Sequence, residues 1–140
     1  MRCNRLSYDI WLKDPSTGET IEIDKPHFMA GGTYAVGGTT ELWLNITYNY
    51  GRWYRHTKVF GEQGIRSLYG LSGSESIPVL QEAIASLTSL EEDLSDEEIA
   101  EYTANGATGY WLPTRENAIT PLRYLLNFAQ MRPDGIWTGD

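Results

Sequence analysis

Cysteine is nearly absent from the chain, and so is histidine. One cysteine, Cys3, leaves no intrachain disulfide to form. It is also a poor start for a zinc site or a catalytic thiol. The two histidines, His27 and His56, lie far apart and belong to no HExxH or CxxC pattern. No metal site is therefore expected, and no cofactor. No window approaches the roughly 18 apolar residues of a membrane span, and no apolar leader opens the chain. Neither membrane insertion nor standard secretion is expected. Positive charge is scarce as well: 11 Lys and Arg stand against 19 Asp and Glu, a formal charge of -8. That balance speaks against non-specific nucleic-acid binding, which needs a Lys/Arg surface to neutralise phosphate.

What remains is enough for one globular domain over residues 1–140. The chain is 41% hydrophobic and 21% charged, so a core is available and global disorder is not expected. Aromatics are plentiful, with five Trp and nine Tyr.

The first half alternates. Leu6, Tyr8, Ile10 and Leu12 predict a strand over Arg5 to Lys13, with Trp11 on its second face. Asp14-Pro15-Ser16-Thr17-Gly18 is a turn, and Glu19 to Asp24 reads as the second strand of a hairpin. Lys25 to Thr40 has no period and carries Gly31-Gly32 and Gly37-Gly38, which suits a bent loop able to wrap a ligand or turn a corner. His27 sits in this loop, as an anchor or a ligand contact. Glu41 to Tyr50 alternates again, with Leu42, Leu44, Ile46, Tyr48 and Tyr50 on one face.

The second half turns to helical spacing. Trp53, His56 and Phe60 suggest a helix over Arg52 to Phe60. A firmer one runs from Ser76, read as its cap, to Leu87. Ser95 with Glu98 forms a capping-box pattern for a short helix ending near Tyr102. Thr114 caps a last helix to Met131, where Pro121 either kinks the helix or restarts it. Pro133-Asp134-Gly135 ends it, and Trp137 is placed to fold back. The sum is an α+β domain: a small antiparallel sheet of about three strands covered by two or more helices.

The candidate binding residues are Tyr48, Tyr50, Arg52, Trp53, Tyr54, Arg55, His56 and Arg66. They concentrate the scarce cations among aromatics, a mix suited to a peptide, a nucleotide or a protein surface. The plainer alternative stays open: the aromatics are core and the cations a solvated face. Arg66 is expected to pair with the seven acids between Glu91 and Glu101. His56 is the only acid-base candidate, and a lone histidine is not a catalytic constellation, so no catalytic residue is assigned.

Several runs resemble a known group. Ser7-Tyr8-Asp9-Ile10, Gly31-Gly32-Thr33-Tyr34-Ala35, Glu41 to Tyr50, Gly64-Ile65-Arg66, Glu75-Ser76-Ile77-Pro78 and Met131-Arg132-Pro133-Asp134-Gly135 are similar to an uncharacterised family. Its members are small acidic proteins of bacteria, prophages and tailed phages. The resemblance covers roughly Leu6 to Asp140 and brings no assigned chemistry. It implies a cytoplasmic setting and an accessory or counter-defence role. The expected function is a non-enzymatic one: binding a partner protein, with homo-oligomers an open possibility. The competing expectations are a small enzyme or binder for a phosphate-bearing or nucleotide-like molecule, and a phage structural or assembly component.

Overall fold

The structure, a computed structural model, describes residues 7–28 and 38–140. Most of the glycine-bearing loop, including Gly31-Gly32, lies outside the described residues, and with it the ligand-wrapping expectation.

The fold is α+β. Strand β1, Ser7–Lys13, is central because its Tyr8, Ile10 and Leu12 are buried in alternation. Strand β4, Trp43–Thr47, pairs antiparallel on one side, with Ile10 opposite Leu44. Strand β5, Ile136–Gly139, pairs antiparallel on the other, with Leu12 opposite Trp137. The Asp14 turn is held by its own carboxylate, which accepts from the Ser16 N–H at 2.8 Å and the Ser16 hydroxyl at 2.6 Å. These bonds hold the carboxyl below its usual range.

The expected hairpin is only partly formed. Thr20 makes an isolated bridge to Lys13, and the Ile21 N–H reaches the Leu12 carbonyl. The chain then leaves β1. Strand β2, Glu22–His27, pairs instead with β3, Thr39–Glu41, in a second sheet. The predicted strand over Glu41 to Tyr50 likewise stops early. The Thr47 hydroxyl accepts the Asn49 N–H and starts a 3-10 turn over Tyr48–Tyr50.

Helices α2, Gly73–Ser89, and α4, Arg115–Met131, pack against each other and close one core with the β1–β4–β5 sheet. The cap of α2 is Ser72, not Ser76. Ser72 and Glu75 exchange hydrogen bonds with each other's N–H at 3.0 and 2.9 Å. Ser76 is buried, where its hydroxyl accepts the Trp137 Nε1–H at 2.7 Å. Thr114 caps α4 as expected. The helix continues through Pro121 as one element and does not restart. No helix among the described residues is long and apolar enough to cross a membrane.

Gly73, the first residue of α2, lies against the chain that leaves α4. A Cβ there would stand 2.6 Å from the Arg132 carbonyl oxygen and 3.0 Å from Pro133 Cα, both backbone. Helix propensity alone favours Ala over Gly by about 1 kcal/mol. We expect the opposite sign: Gly73→Ala should destabilise by about 1–3 kcal/mol, because the backbone that ends α4 must move. Urea unfolding reads the sign directly, and a stabilised Gly73→Ala protein would refute the contact.

Candidate functional site

The structure brings the candidate residues into one region but divides them between core and surface. Tyr50, Trp53 and Tyr54 are 0, 2 and 0% exposed. The aromatic contact surface expected there is therefore core. The reason is local. The 3-10 turn and the single helical turn α1, Gly51–Tyr54, rotate successive side chains so that adjacent aromatics enter the interior. Each buried polar tip finds a carbonyl: Tyr50 donates to Tyr110, Trp53 Nε1 to Pro113 at 2.9 Å, and Tyr54 to Ala118 at 2.8 Å. The expected longer helix to Phe60 does not form; turns follow α1, and Gly61 takes positive φ. Tyr48 is half-buried, edge-on to Tyr8 at 4.5 Å.

The cations meet the acids rather than standing apart from them. Arg52 pairs with Glu98 at 2.7 Å and lies 4.8 Å over the Trp53 ring. His56 Nε2 faces Glu92 at 3.3 Å. The basic stretch and the acidic run are thus partners in one clasp. Arg66 departs from expectation. It is not paired with the acid run but donates from Nε to the Asp140 carbonyl at 2.9 Å and lies over the Tyr8 ring at 4.8 Å. Arg55 is exposed and reaches back along Gly51.

The His56–Glu92 pair borders an open cleft of about 430 Å³, lined by Lys58, Ser86, Ser89, Leu90, Glu91 and Glu92. A histidine beside a carboxylate is the geometry an acid-base site needs. Here, however, the Lys58 N–H donates to His56 Nδ1 at 3.1 Å, which puts the ring proton on Nε2 toward Glu92. Neither nitrogen is left to take a proton from a substrate. Among the described residues no group of three His, Cys, Asp or Glu can hold a metal ion. His27 acts as an anchor: it is buried, bonds the Glu41 carbonyl at 2.6 Å and packs its ring at a 57° tilt to Phe128, centroids 5.0 Å apart.

The acid run builds an arm. Residues 90–95 lead into α3, Asp96–Ala104, which has the expected Ser95–Glu98 capping box at its start. None of its residues is buried. Leu90 and Leu94 anchor the lead-in. Glu98 serves both the capping box and Arg52, and the Ser95 backbone, first, with Arg52 holds its carboxyl below the usual range.

Two features escaped the sequence reading. Tyr110 closes the outer edge of β4: its hydroxyl accepts the Thr47 N–H at 2.8 Å and donates to the Asn45 carbonyl at 3.3 Å. The outer edge of β5 is covered too, by the Gly70–Ser72 backbone. The second feature is a cleft on α4, described below. Nothing in the local pattern around Tyr110 signals the first, and Pro121 inside a helix is the hint to the second. Compared with protein-family models, characterised proteins and solved structures, the chain matches none.

Proposed function

We propose that the protein works by binding another protein, as a cytoplasmic accessory or inhibitor protein of the phage or prophage kind, and not by catalysis. The carrying observation is α3. A nine-residue helix is too short to persist alone in water, and most helices are held by a packed apolar face. No residue of this one is fully buried, and only Glu98, Ile99 and Tyr102 are partly covered. It is held instead by its capping box, by acids at the positive end of its dipole and by the Arg52–Glu98 pair. A helix kept ordered yet exposed, with Asp96, Glu97 and Glu101 outward, suits contact with a basic protein surface.

The phosphate-bearing ligand is the weaker reading. Its cleft would set the phosphate against Glu91 and Glu92, with Lys58 as the one cation among the described lining residues.

The test neutralises the outward acids and spares the clasp. Asp96→Asn, Glu97→Gln and Glu101→Gln are combined, and both proteins are used to capture partners from bacterial lysate. We expect a basic protein on the wild type, reduced about ten-fold on the variant, equivalent to about 1.4 kcal/mol. Equal capture by both would remove the arm as the contact.

A further inference from the structure

The chain leaving α3 runs into the 3-10 turn Gly109–Trp111, and Tyr110 of that turn forms a wall of a cleft of about 240 Å³. Tyr50, Asn117, Thr120, Pro121 and Tyr124 complete it. Asn117, Thr120, Pro121 and Tyr124 are spaced i, i+3, i+4 and i+7, one stripe of α4.

The walls offer ring surface from Tyr110 and Tyr124, both half-buried, while Tyr50, 0% exposed, only backs the Tyr110 ring. The Tyr50 and Tyr110 rings meet at 81° with centroids 5.4 Å apart. Both hydroxyls are committed internally, Tyr50 to the Tyr110 carbonyl and Tyr110 to β4. Burial raises both hydroxyl pKa values above the usual tyrosine range, so both rings stay neutral.

The α4 wall offers acceptors. Pro121 has no N–H, so the Asn117 carbonyl, four residues back, lacks its α-helical donor. The Asn117 side-chain amide gives its protons to the Gly109 and Leu112 carbonyls, at 3.1 and 2.9 Å. Its backbone N–H goes to the Thr114 hydroxyl. Asn117 Oδ1 therefore remains as an acceptor, and the side chain has no donor left to give. An interior proline costs a helix about 3 kcal/mol, so its place on this wall is a feature to be explained.

Ring faces beside the Asn117 acceptor and the Thr120 and Tyr124 hydroxyls, which can also accept, suit a donor group with positive charge. Among the described residues no Asp, Glu, Lys or Arg lines the cleft, and the protein's net charge of -8 draws cations toward it. A planar guanidinium, with five donors and a face that stacks on rings, fits better than an ammonium. We propose that this cleft receives an arginine side chain of the partner protein. The proposal rests on the protein-binding reading and names the chemistry of the partner's contact.

The probe is the blocked tripeptide acetyl-Gly-Arg-Gly-amide, titrated into the full chain and followed by amide NMR shifts. Its citrulline counterpart keeps the shape and most donors but has no charge. Saturable shifts are expected at Thr120, Tyr124 and Tyr110, with the citrulline peptide about ten-fold weaker, the difference a desolvated cation–π contact supports. Tyr124→Leu keeps the bulk, removes a ring and should weaken arginine binding about five-fold. Thr120→Lys changes an exposed position, so the fold is retained, and should abolish binding by placing a cation at the mouth. Equal affinity for the two peptides would overturn the proposal. So would shifts confined to residues 91–101, or undiminished binding by Thr120→Lys. The titration contains no protein partner, so its failure is read separately from a failure of capture by the α3 arm.

Discussion

Trp53→Ala is expected to cost about 3–5 kcal/mol of folding stability, the range for truncating a large buried aromatic. The side chain is 2% exposed and belongs to the central cluster. Its Nε1–H is the donor to the buried Pro113 carbonyl at 2.9 Å. Truncation opens a cavity and leaves that carbonyl without its partner, and an unsatisfied buried acceptor alone costs about 1–3 kcal/mol. Trp53→Phe keeps most of the ring volume and loses the donor, so it should cost distinctly less. Urea midpoints for the two variants separate packing from hydrogen bonding. A cost under about 1 kcal/mol for Trp53→Ala would contradict the burial. The consequence for function is direct. Lost binding by Trp53→Ala would report unfolding, whereas Arg55→Ala alters an exposed side chain and tests the surface cleanly.

The contrast between Trp53 and Arg55 shows what the sequence could and could not carry. Period-2 alternation in Tyr8, Ile10 and Leu12, and in Leu44 and Ile46, correctly marked two strands and their inner face. Local chemistry was equally legible at α3 and α4, because Ser95 with Glu98 and Thr114 with Asn117 act within three residues. Ser76 misled because serine reads as a cap, while Ser72 three residues before Glu75 was the capping pair. Strand β5 escaped notice because four residues, Ile136 to Gly139, hold too little alternation. Its place is fixed by β1, more than a hundred residues away in sequence.

The site was half legible for a similar reason. Opposite charge around Arg52 to Lys58 and Glu91 to Glu101 was visible, but not that the two stretches touch. Arg52 finds Glu98 and His56 finds Glu92 only because the fold returns the arm to α1. Arg66 was drawn to the same acids by charge alone, yet the C-terminal strand sets Asp140 beside it. Aromatic richness said nothing of direction: Tyr50 and Tyr54 lie in the core, whereas Tyr124, on a helix face, lines a cleft. Pro121 was visible as an anomaly, and its meaning needed the residues around it.

Alkaline unfolding should be steep. The Tyr50 and Tyr54 hydroxyls are held well above the usual tyrosine range, first by burial and then by neighbouring tyrosines. Both donate to backbone carbonyls, a bond a phenolate cannot make. The protonated form is therefore the one the fold retains. Below the ordinary tyrosine pKa of about 10, folded and unfolded chains hold the same phenolic protons and pH has no leverage. Above it the unfolded chain releases them and the folded chain does not, so stability falls as pH rises. Each such tyrosine contributes about 1.4 kcal/mol per pH unit, and these two together roughly 3. The loss continues upward from about pH 10 for as long as the folded hydroxyls stay protonated, against a total stability of about 5–15 kcal/mol for a typical domain. Tyr69, pushed up to about 12 chiefly by burial, adds to the slope in the same window at a discount for its exposure. Urea unfolding at a series of pH values gives the slope, and phenolate absorbance shows whether ionisation coincides with unfolding. Smooth ionisation of every tyrosine near pH 10 in a chain that stays folded would contradict the burial of these hydroxyls. Tyr54→Phe provides the internal check. It should lower stability near neutral pH by about 1 kcal/mol, because the Ala118 carbonyl loses its donor. It should also flatten the alkaline slope by about 1.4 kcal/mol per pH unit, so the variant's deficit narrows as pH rises.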